Sequence, residues 1–440
     1  MATLSTDESF NSMLKRYMPY KLLSDEIIKR DYFLQRVSKD TNWKGGALQV
    51  PFVGANATSL SIGSLSDTGD IGSDTFVRGE VANYAEMWGA MVFNQKDLDQ
   101  HNGSAEGSFL KILPDRIDVF AQTMKEAISG QLLNGSAIDK IRVVNNGTID
   151  NIEVERPERF EINQKIVIAA AAGGQPLTYY VSKVTVQSDG TGLLELSDTS
   201  SQSGTGLVGA TDLNTDLTAA DLIYHPGVVA AGNTIIDEVF SSLPSQLLAS
   251  GQVSGVATGS ADLFGQTKAS YKHLQALNVD GSSLDFDSTS AANSHLEKIF
   301  DAQTTVRRLG RGNPGECLMS YRNFAQCMKE LEGKREYQAD VSKASKYGWS
   351  EIQVVGVKGA LKLVAVPELD DSNIMVVDFD SMKLHSNGFV ERRTAPDGKQ
   401  FFETRGTTGY SYIVDHRFYG DLVCSKPSAN AIIHDVPVIS

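Results

Sequence analysis

Two stretches of alternating apolar and polar residues flank a long segment rich in glycine and serine, and this pattern restricts the possible folds most. Leu48, Val50 and Phe52 alternate with Gln49 and Pro51, as expected for a strand with one buried face. Residues 75–93 alternate in the same way, with Arg78, Glu80, Glu86 and Trp88 on the polar parity and Val77, Val81, Met91 and Phe93 on the apolar one. The sequence therefore predicts a long two-stranded hairpin whose tip, residues 54–74, consists mainly of Gly, Ser, Asp and Thr.

A hairpin of this length needs a surface to lie against, because an isolated two-stranded ribbon is only marginally stable in water. A further strand of the same chain and a second subunit both satisfy that need, and the sequence leaves the choice open. Four residues on the returning stretch are the candidates for contact with another subunit: Arg78, Glu80, Trp88 and Phe93.

The remaining chain alternates between helical and β-type patterns. Apolar residues at spacings of three and four predict a long amphipathic helix over 115–133, with Pro114 at its start and Asn134-Gly135 at its end. Short β-favouring runs between 141 and 224 are separated by turn residues, which predicts a small barrel or sandwich inserted into the chain. After residue 227 the patterns predict helices over 231–248, 266–277, 294–309 and 323–331, followed mostly by strands.

Motifs for catalysis or cofactor binding are incomplete. Residues 204–209 fit G-x-G-x-x-G but lack the strand before and the helix after that hold a pyrophosphate, so a nicotinamide-dependent oxidoreductase would depend on this loop alone. Residues 212–216 begin like a calcium loop, but Leu217 and Ile223 stand where glycine and a carboxylate are needed. The three cysteines and seven histidines have no zinc-site spacing. We therefore expect no enzyme activity, no cofactor and no metal.

Charge and hydropathy limit the cellular locations and the classes of partner that the protein can have. Acidic residues outnumber basic ones by 54 to 40, giving a net charge of −14, which argues against a dedicated nucleic-acid binder. No apolar stretch has the length that a membrane helix needs, and the polar, acidic amino-terminal residues predict neither a secretory signal nor a transit peptide. An extracellular adhesin would explain the β-rich insert but has no signal to support it. Three cysteines indicate a reducing compartment.

The order of these elements, and several motifs in the carboxyl-terminal third, resemble a known family. Val376-Val377-Asp378-Phe379 followed by Gly388 is similar to a strand that ends in a small acidic turn. Residues 320–324 (Ser-Tyr-Arg-Asn-Phe) resemble a strand-to-helix corner, and residues 410–418 and 422–433 resemble a final long strand with its Pro-x-Ala ending. This order of elements resembles that of tailed-phage major capsid proteins of the Hong Kong 97 type.

The resemblance implies an α+β fold, the HK97-like capsid fold, with an inserted small β-barrel or β-sandwich domain. The implied parts are an N-terminal arm (1–43), an extended β-hairpin loop (44–96), a peripheral domain with a long spine helix (97–135), the inserted β-rich domain (136–226), an axial domain (227–380) and the return strands of the peripheral domain (381–440).

For function, the resemblance implies a structural protein that assembles into the hexamers and pentamers of an icosahedral shell around double-stranded DNA, without tight specific DNA binding. It implies a separate scaffolding protein, because only 43 residues precede the hairpin, together with a portal; a decoration protein stays open. The implied location is the virion capsid, assembled in the host cytoplasm with no membrane. A cellular nanocompartment shell of the encapsulin type is the alternative.

Residues 45–95 contain no lysine. We therefore expect no lysine–asparagine cross-link of the kind that joins the subunits of some relatives' shells covalently; denaturing electrophoresis tests this.

Overall fold

The computed structural model describes residues 20–43, 47–53, 76–81, 84–94, 109–145, 151–169, 176–188, 190–197, 217–219, 221–230, 234–235, 240–284, 294–309, 312–332, 352–356, 359–406 and 409–437. The chain divides into two compact units. Unit 1 comprises Met1–Leu48, Asn83–Ser129 and Lys383–Val423, and unit 2 comprises Gln49–Ala82, Gly130–Met382 and Cys424–Ser440.

The α-helices of the described residues are α1 (Tyr20–Arg30), α2 (Tyr32–Arg36), α3 (Phe109–Leu133), α4 (Leu243–Leu247), α5 (His295–Arg308) and α6 (Tyr321–Glu332). The strands of the first half are β1 (Ser38–Asp40), β2 (Leu48–Val53), β3 (Phe76–Val81), β4 (Ala85–Asn94), β5 (Ala137–Asn145), β6 (Asn151–Val154), β7 (Lys165–Ala169), β8 (Leu177–Val186), β9 (Gly192–Ser197) and β10 (Leu222–Tyr224). Those of the second half are β11 (Val229–Ala230), β12 (Thr234–Ile235), β13 (Val253–Ser254), β14 (Ala257–Thr258), β15 (Asp262–Leu263), β16 (Gln266–Thr267), β17 (Leu277–Asp280), β18 (Glu316–Met319), β19 (Ile352–Gly356), β20 (Gly359–Ala365), β21 (Ile374–Val377), β22 (Met382–Arg392), β23 (Phe402–Gly406), β24 (Gly409–Cys424) and β25 (Ala431–His434).

Unit 1 is built on a five-stranded sheet around the long strand β24. The order is β1-β22-β24-β23, and β4 also pairs with β24 in an antiparallel ladder from Ser411↔Asn94 to Gly420↔Ala85. Helices α1 and α2 bury Leu23, Ile27 and Phe33. The Ser24 hydroxyl of α1 donates to the carbonyl of Val390 on β22 at 2.9 Å, which holds the helix to this sheet.

Unit 2 contains a closed barrel and a six-stranded mixed sheet. The barrel order is β10-β5-β6-β9-β8-β7, and its interior is filled by aliphatic side chains such as Ile152, Ile166 and Leu194. The second sheet has the order β17-β25-β21-β18-β20-β19. Helices α5 and α6 contribute Ile299 and Cys327 to the core that this sheet shares. Both parts have the hydrophobic interior that an independently packed layer needs.

Three sequence predictions are wrong in detail. Residues 75–93 do not form one return strand: β3 pairs with β2, whereas β4 pairs with β24 in unit 1. The long helix begins at Phe109, so Pro114 lies in its second turn, where it removes only one main-chain hydrogen bond. Residues 381–440 do not all return to one sheet, because β25 pairs with β17 and β21 in unit 2.

The helices predicted over 231–248 and 266–277 are also wrong. Within residues 231–248 the described segments are the short strand β12 and the single-turn helix α4, and residues 266–277 form β16 and two 3-10 turns. Both segments carry apolar residues at helical spacing. In the first, the Ser242 hydroxyl accepts a hydrogen bond from the Ser245 amide and caps α4, but the helix ends after one turn; helices this short gain little from their own hydrogen bonds. By contrast, α5 begins where predicted, since the Ser294 hydroxyl accepts a hydrogen bond from the Glu297 amide at its amino end.

Candidate intersubunit surface

The four candidate contact residues fall in two places. Arg78 and Glu80 lie on β3 in unit 2, and Trp88 and Phe93 lie on β4 in unit 1. Within the described residues, no group of three or more His, Cys, Asp or Glu side chains could hold a metal ion. The glycine motif at 204–209 and the calcium-like loop at 212–216 lie outside the described residues.

The base of the β2–β3 ribbon is anchored on the chain's own β15–β16 hairpin. The ring of Phe52 stacks on that of Phe264 with centroids 6.0 Å apart. The Glu80 amide donates to the Phe264 carbonyl at 3.0 Å, and the Gln266 side-chain amide donates to the Arg78 carbonyl at 2.8 Å. The side chains of Arg78 and Glu80 stay exposed. The main chain of the ribbon base is thus held internally, while its charged side chains face solvent.

Strand β4 has two unlike faces. One face is buried: Phe93 is fully inside, and an added Cβ on Gly89 would lie 2.6 Å from Met124 Sδ and 2.9 Å from Phe120 Cζ of α3. This glycine lets the helix pack closely against the strand. The prediction that Phe93 contacts another subunit is therefore wrong, since its ring is core; the Arg116 guanidinium lies 5.7 Å from its centroid.

The opposite face of β4 is exposed. Trp88 and Val92 are 49% and 54% exposed, and Ala90 between them is exposed as well. Their partners across the ladder on β24 are Arg417, Asp415 and Ile413, and Phe402 on β23 lies opposite Ile413. Directly paired residues point to the same side of a sheet. We call the set Trp88, Ala90, Val92, Arg393, Phe402, Ile413, Asp415 and Arg417 the Trp88 face.

Two guanidinium groups fix the position of the exposed indole. The Cζ atoms of Arg393 and Arg417 each lie 5.9 Å from the Trp88 ring centroid, and Tyr419 meets the indole edge-on at 6.4 Å. The indole N–H donates to the Glu86 carboxylate at 3.1 Å. Cation–π contacts of this kind contribute about 0.5–1 kcal/mol at exposed sites. The indole is consequently held in one orientation before any partner arrives.

The two arginines differ in their other partners. Arg417 forms an ion pair with Glu391 at 3.4 Å and donates to the Tyr419 hydroxyl. Burial raises the pKa of that hydroxyl, although Arg417 acts in the opposite direction. Arg393 lies over both the Trp88 ring and the Phe402 ring, the latter at 4.9 Å, and has no carboxylate partner in the part of the chain that the structure describes. Arg393 is therefore an exposed cation held over two aromatic rings, and its guanidinium forms no ion pair within the described residues.

Sequence reasoning found one residue of this surface and missed the others. Trp88 is one of the four residues that the sequence proposes for contact with another subunit, and it lies on the polar parity of β4. Arg393 and Arg417 carry no local signal, because only the pairing of β4 with a strand more than 300 residues later brings them to the indole. Arg78 and Glu80, the other two exposed candidates, lie on β3 in unit 2 and do not belong to this face.

Comparisons with known proteins give likenesses in structure only. No family model and no curated protein matches the chain. Among solved structures, the chain is similar to the cyanophage A-1(L) capsid (9% identity, 91% of this chain and 90% of that one, TM-score 0.46). It is also similar to the capsid of a native GTA particle (10% identity, 94% and 90%, TM-score 0.44) and to an encapsulin complex from Synechococcus elongatus PCC 7942 (9% identity, 93% and 88%, TM-score 0.37). All these TM-scores are below 0.5.

Proposed function

We propose that the protein is a structural shell subunit: a major capsid protein that assembles with copies of itself into the hexamers and pentamers of an icosahedral shell around the double-stranded DNA of a tailed phage. The observation that carries the proposal is the Trp88 face. An exposed Trp flanked by two Arg and a Tyr has the composition of the residues that contribute most to protein–protein binding. On a monomer, the apolar side chains of Trp88 and Val92 on this face would stay in contact with water.

The order of elements supports a closed shell over a simple dimer. A ribbon with an anchored base and a tip rich in glycine and serine suits subunits that meet at slightly different angles around a curved wall. Each contact can be modest in area, because many weak contacts made at once give a stable assembly. The resemblance of the carboxyl-terminal motifs to the tailed-phage capsid family supports the same assembly.

The acidic balance supports an enclosing role. With a net charge of −14, a free subunit is repelled by phosphate backbones, so packed DNA would not condense onto the wall. On this proposal, the partners are a scaffolding protein and a portal, the shell forms in the host cytoplasm, and the mature protein resides in the virion. An encapsulin-type compartment is the second candidate, and it would hold protein cargo instead of DNA.

The test compares assembly of the full-length wild-type chain with that of Trp88→Ala. We expect the wild type to form rings and closed shells above a threshold concentration, seen by sedimentation velocity and negative-stain microscopy. Loss of an anchoring aromatic costs about 2 kcal/mol per contact, so the variant should need a threshold at least tenfold higher. Nucleic acid or protein inside purified particles separates the phage shell from the compartment.

Val186→Ala is the matched control, because Val186 is a 66% exposed apolar residue of the barrel and does not belong to the Trp88 face. It should assemble as the wild type does. Unchanged circular dichroism and melting temperature would show that Trp88→Ala still folds. A wild type that stays monomeric at every concentration, with or without a coexpressed scaffold, contradicts the proposal.

A further inference from the structure

The turn that joins β15 to β16 has a bulky residue in a backbone conformation that favours glycine. Leu263 pairs with Gln266, so the connection consists of Phe264 and Gly265 alone. Their φ angles are 48° and 79°, and a two-residue turn of type I′ needs positive values at both positions. Asn-Gly is the preferred pair in such a turn, and a phenylalanine with positive φ is strained. The hairpin is therefore less stable with Phe264 than it would be with asparagine at that position.

Contacts with the β2–β3 ribbon offset this strain. The Phe264 ring stacks on that of Phe52 with an angle of 15° between the planes, and Phe52 is fully buried. The Phe264 carbonyl accepts the Glu80 amide at 3.0 Å. A strained residue persists where the surrounding structure over-determines its conformation. The ring contact and the hydrogen bond at Phe264 both belong to the ribbon, and so does the bond from the Gln266 side chain to the Arg78 carbonyl at 2.8 Å.

Gly79 lets the ribbon approach this turn closely. A Cβ built on Gly79 would lie 2.2 Å from Cε2 of Phe52 and 3.2 Å from the Phe264 carbonyl oxygen. A side chain at position 79 would therefore push the Phe52 ring away from its place beside the turn. We call Phe52, Gly79, Glu80, Phe264 and Gln266 the ribbon clamp.

The pairing of β2 with β3 gives the ribbon base little stability of its own. Within the described residues these two strands pair only with each other, and an isolated two-stranded sheet is only marginally stable in water. Local opening of such a segment takes less free energy than unfolding of a packed core sheet. We therefore expect the ribbon base to open independently of the six-stranded sheet, at a frequency that the ribbon clamp sets.

We propose that Phe264 is a positioning residue that stabilises the ribbon base and not its own hairpin. The strained turn holds the ribbon base closed, and without the Phe264 ring the base opens while β15 and β16 stay paired. Loss of one stacked aromatic pair corresponds to about a tenfold change in the equilibrium constant for opening. This inference concerns contacts within one chain, so it does not depend on assembly into a shell.

Hydrogen exchange of the full-length chain, kept unassembled by dilution, tests the proposal with Phe264→Asn. Asparagine suits the first position of a type I′ turn but has no ring to stack on Phe52. In this variant, amides of residues 50–53 and 77–81 should lose about tenfold in protection relative to the buried strand β21. Amides of residues 262–267 should keep or gain protection, because the strain in the turn is relieved.

Two further variants complete the test. Gly79→Ala displaces the Phe52 ring from the ribbon side and leaves the sequence of the turn unchanged, so it should lower the protection of residues 50–53 and 77–81 in the same direction. Phe76→Asn is the matched control, because it makes the same chemical change at a residue of β3 that is 61% exposed. It should keep the wild-type protection.

Three results would overturn the proposal. The first is unchanged protection of residues 50–53 and 77–81 in Phe264→Asn or in Gly79→Ala. The second is an equal loss of protection in the ribbon base and in residues 262–267 of Phe264→Asn, since Phe264 would then stabilise its own hairpin. The third is a Phe264→Asn chain that does not fold, because the ring would then be needed by the whole unit and not by the ribbon.

Discussion

At the scale of single residues, two glycines of unit 2 differ in what a methyl group would meet. A Cβ built on Gly192 of β9 would lie 2.3 Å from the Cβ of Pro157, a rigid ring at the barrel base. A Cβ on Gly130, in the interior of α3, meets nothing within 4 Å. Close packing requires a glycine at 192. At 130 nothing requires one, and a glycine there destabilises the helix because it loses more backbone entropy on folding than other residues do.

Alanine substitutions at these two positions should therefore shift stability in opposite directions. We expect Gly192→Ala to lower the free energy of unfolding by about 1–3 kcal/mol, because the proline cannot move aside without displacing its turn. Gly130→Ala should raise it by about 0.5–1 kcal/mol, the difference in helix propensity. Urea denaturation of the full chain followed by circular dichroism checks both. Destabilisation of equal size by both changes would contradict the packing explanation.

At the scale of elements, one carboxylate of α6 caps the amino end of α5. Glu330 accepts hydrogen bonds from the Ser294 hydroxyl at 2.7 Å and from the amides of His295 and Leu296 at 2.9 and 3.1 Å. The His295 Nδ1 atom lies 3.1 Å from the same carboxylate. Burial would raise the pKa of Glu330, but these bonds lower it to about 2. The amides at a helix amino end favour a negative charge.

Glu330→Gln should weaken the junction of the two helices. An amide has one acceptor oxygen, so some of the donors lose their partner, and we expect a loss of about 2 kcal/mol in unfolding free energy at pH 7. In the wild type this contribution is present above the ordinary pKa of 4.5 and is lost as pH falls toward about 2. Thermal melts at pH 7, 4 and 3 should therefore show the gap between wild type and variant closing. A gap that stays constant with pH contradicts the charge-based explanation.

The elements that the sequence predicted well are those whose signals are local. Helix α5 has both its apolar spacing and its Ser294 cap within one window, and strand β18 ends at Met319, after which the chain turns at Ser320 into α6. The helices expected over 231–248 and 266–277 failed, because short apolar runs there pack as hairpins and 3-10 turns on neighbouring segments. The pairing of β4 with β24 could not be predicted, because nothing in residues 85–94 specifies a partner strand so far along the chain.

At the scale of the whole molecule, each copy carries a net charge of −14, so in the proposed assembly general charge repulsion opposes the attraction that we assign to the Trp88 face. Screening lengths are about 10 Å at 0.1 M salt and about 3 Å at 1 M. We expect the threshold concentration for assembly to fall when NaCl rises from 0.1 to 1 M, because general repulsion is screened while apolar contact through Trp88 and Val92 is not. Exposed ion pairs contribute only about 0–1 kcal/mol each, so their weakening should not reverse this trend.

Light scattering at both salt concentrations measures the threshold, and Arg393→Gln serves as the comparison: it should raise the threshold more at 0.1 M than at 1 M. If the wild-type threshold concentration for assembly rose with salt, charge pairing, and not apolar contact through Trp88 and Val92, would hold the copies together.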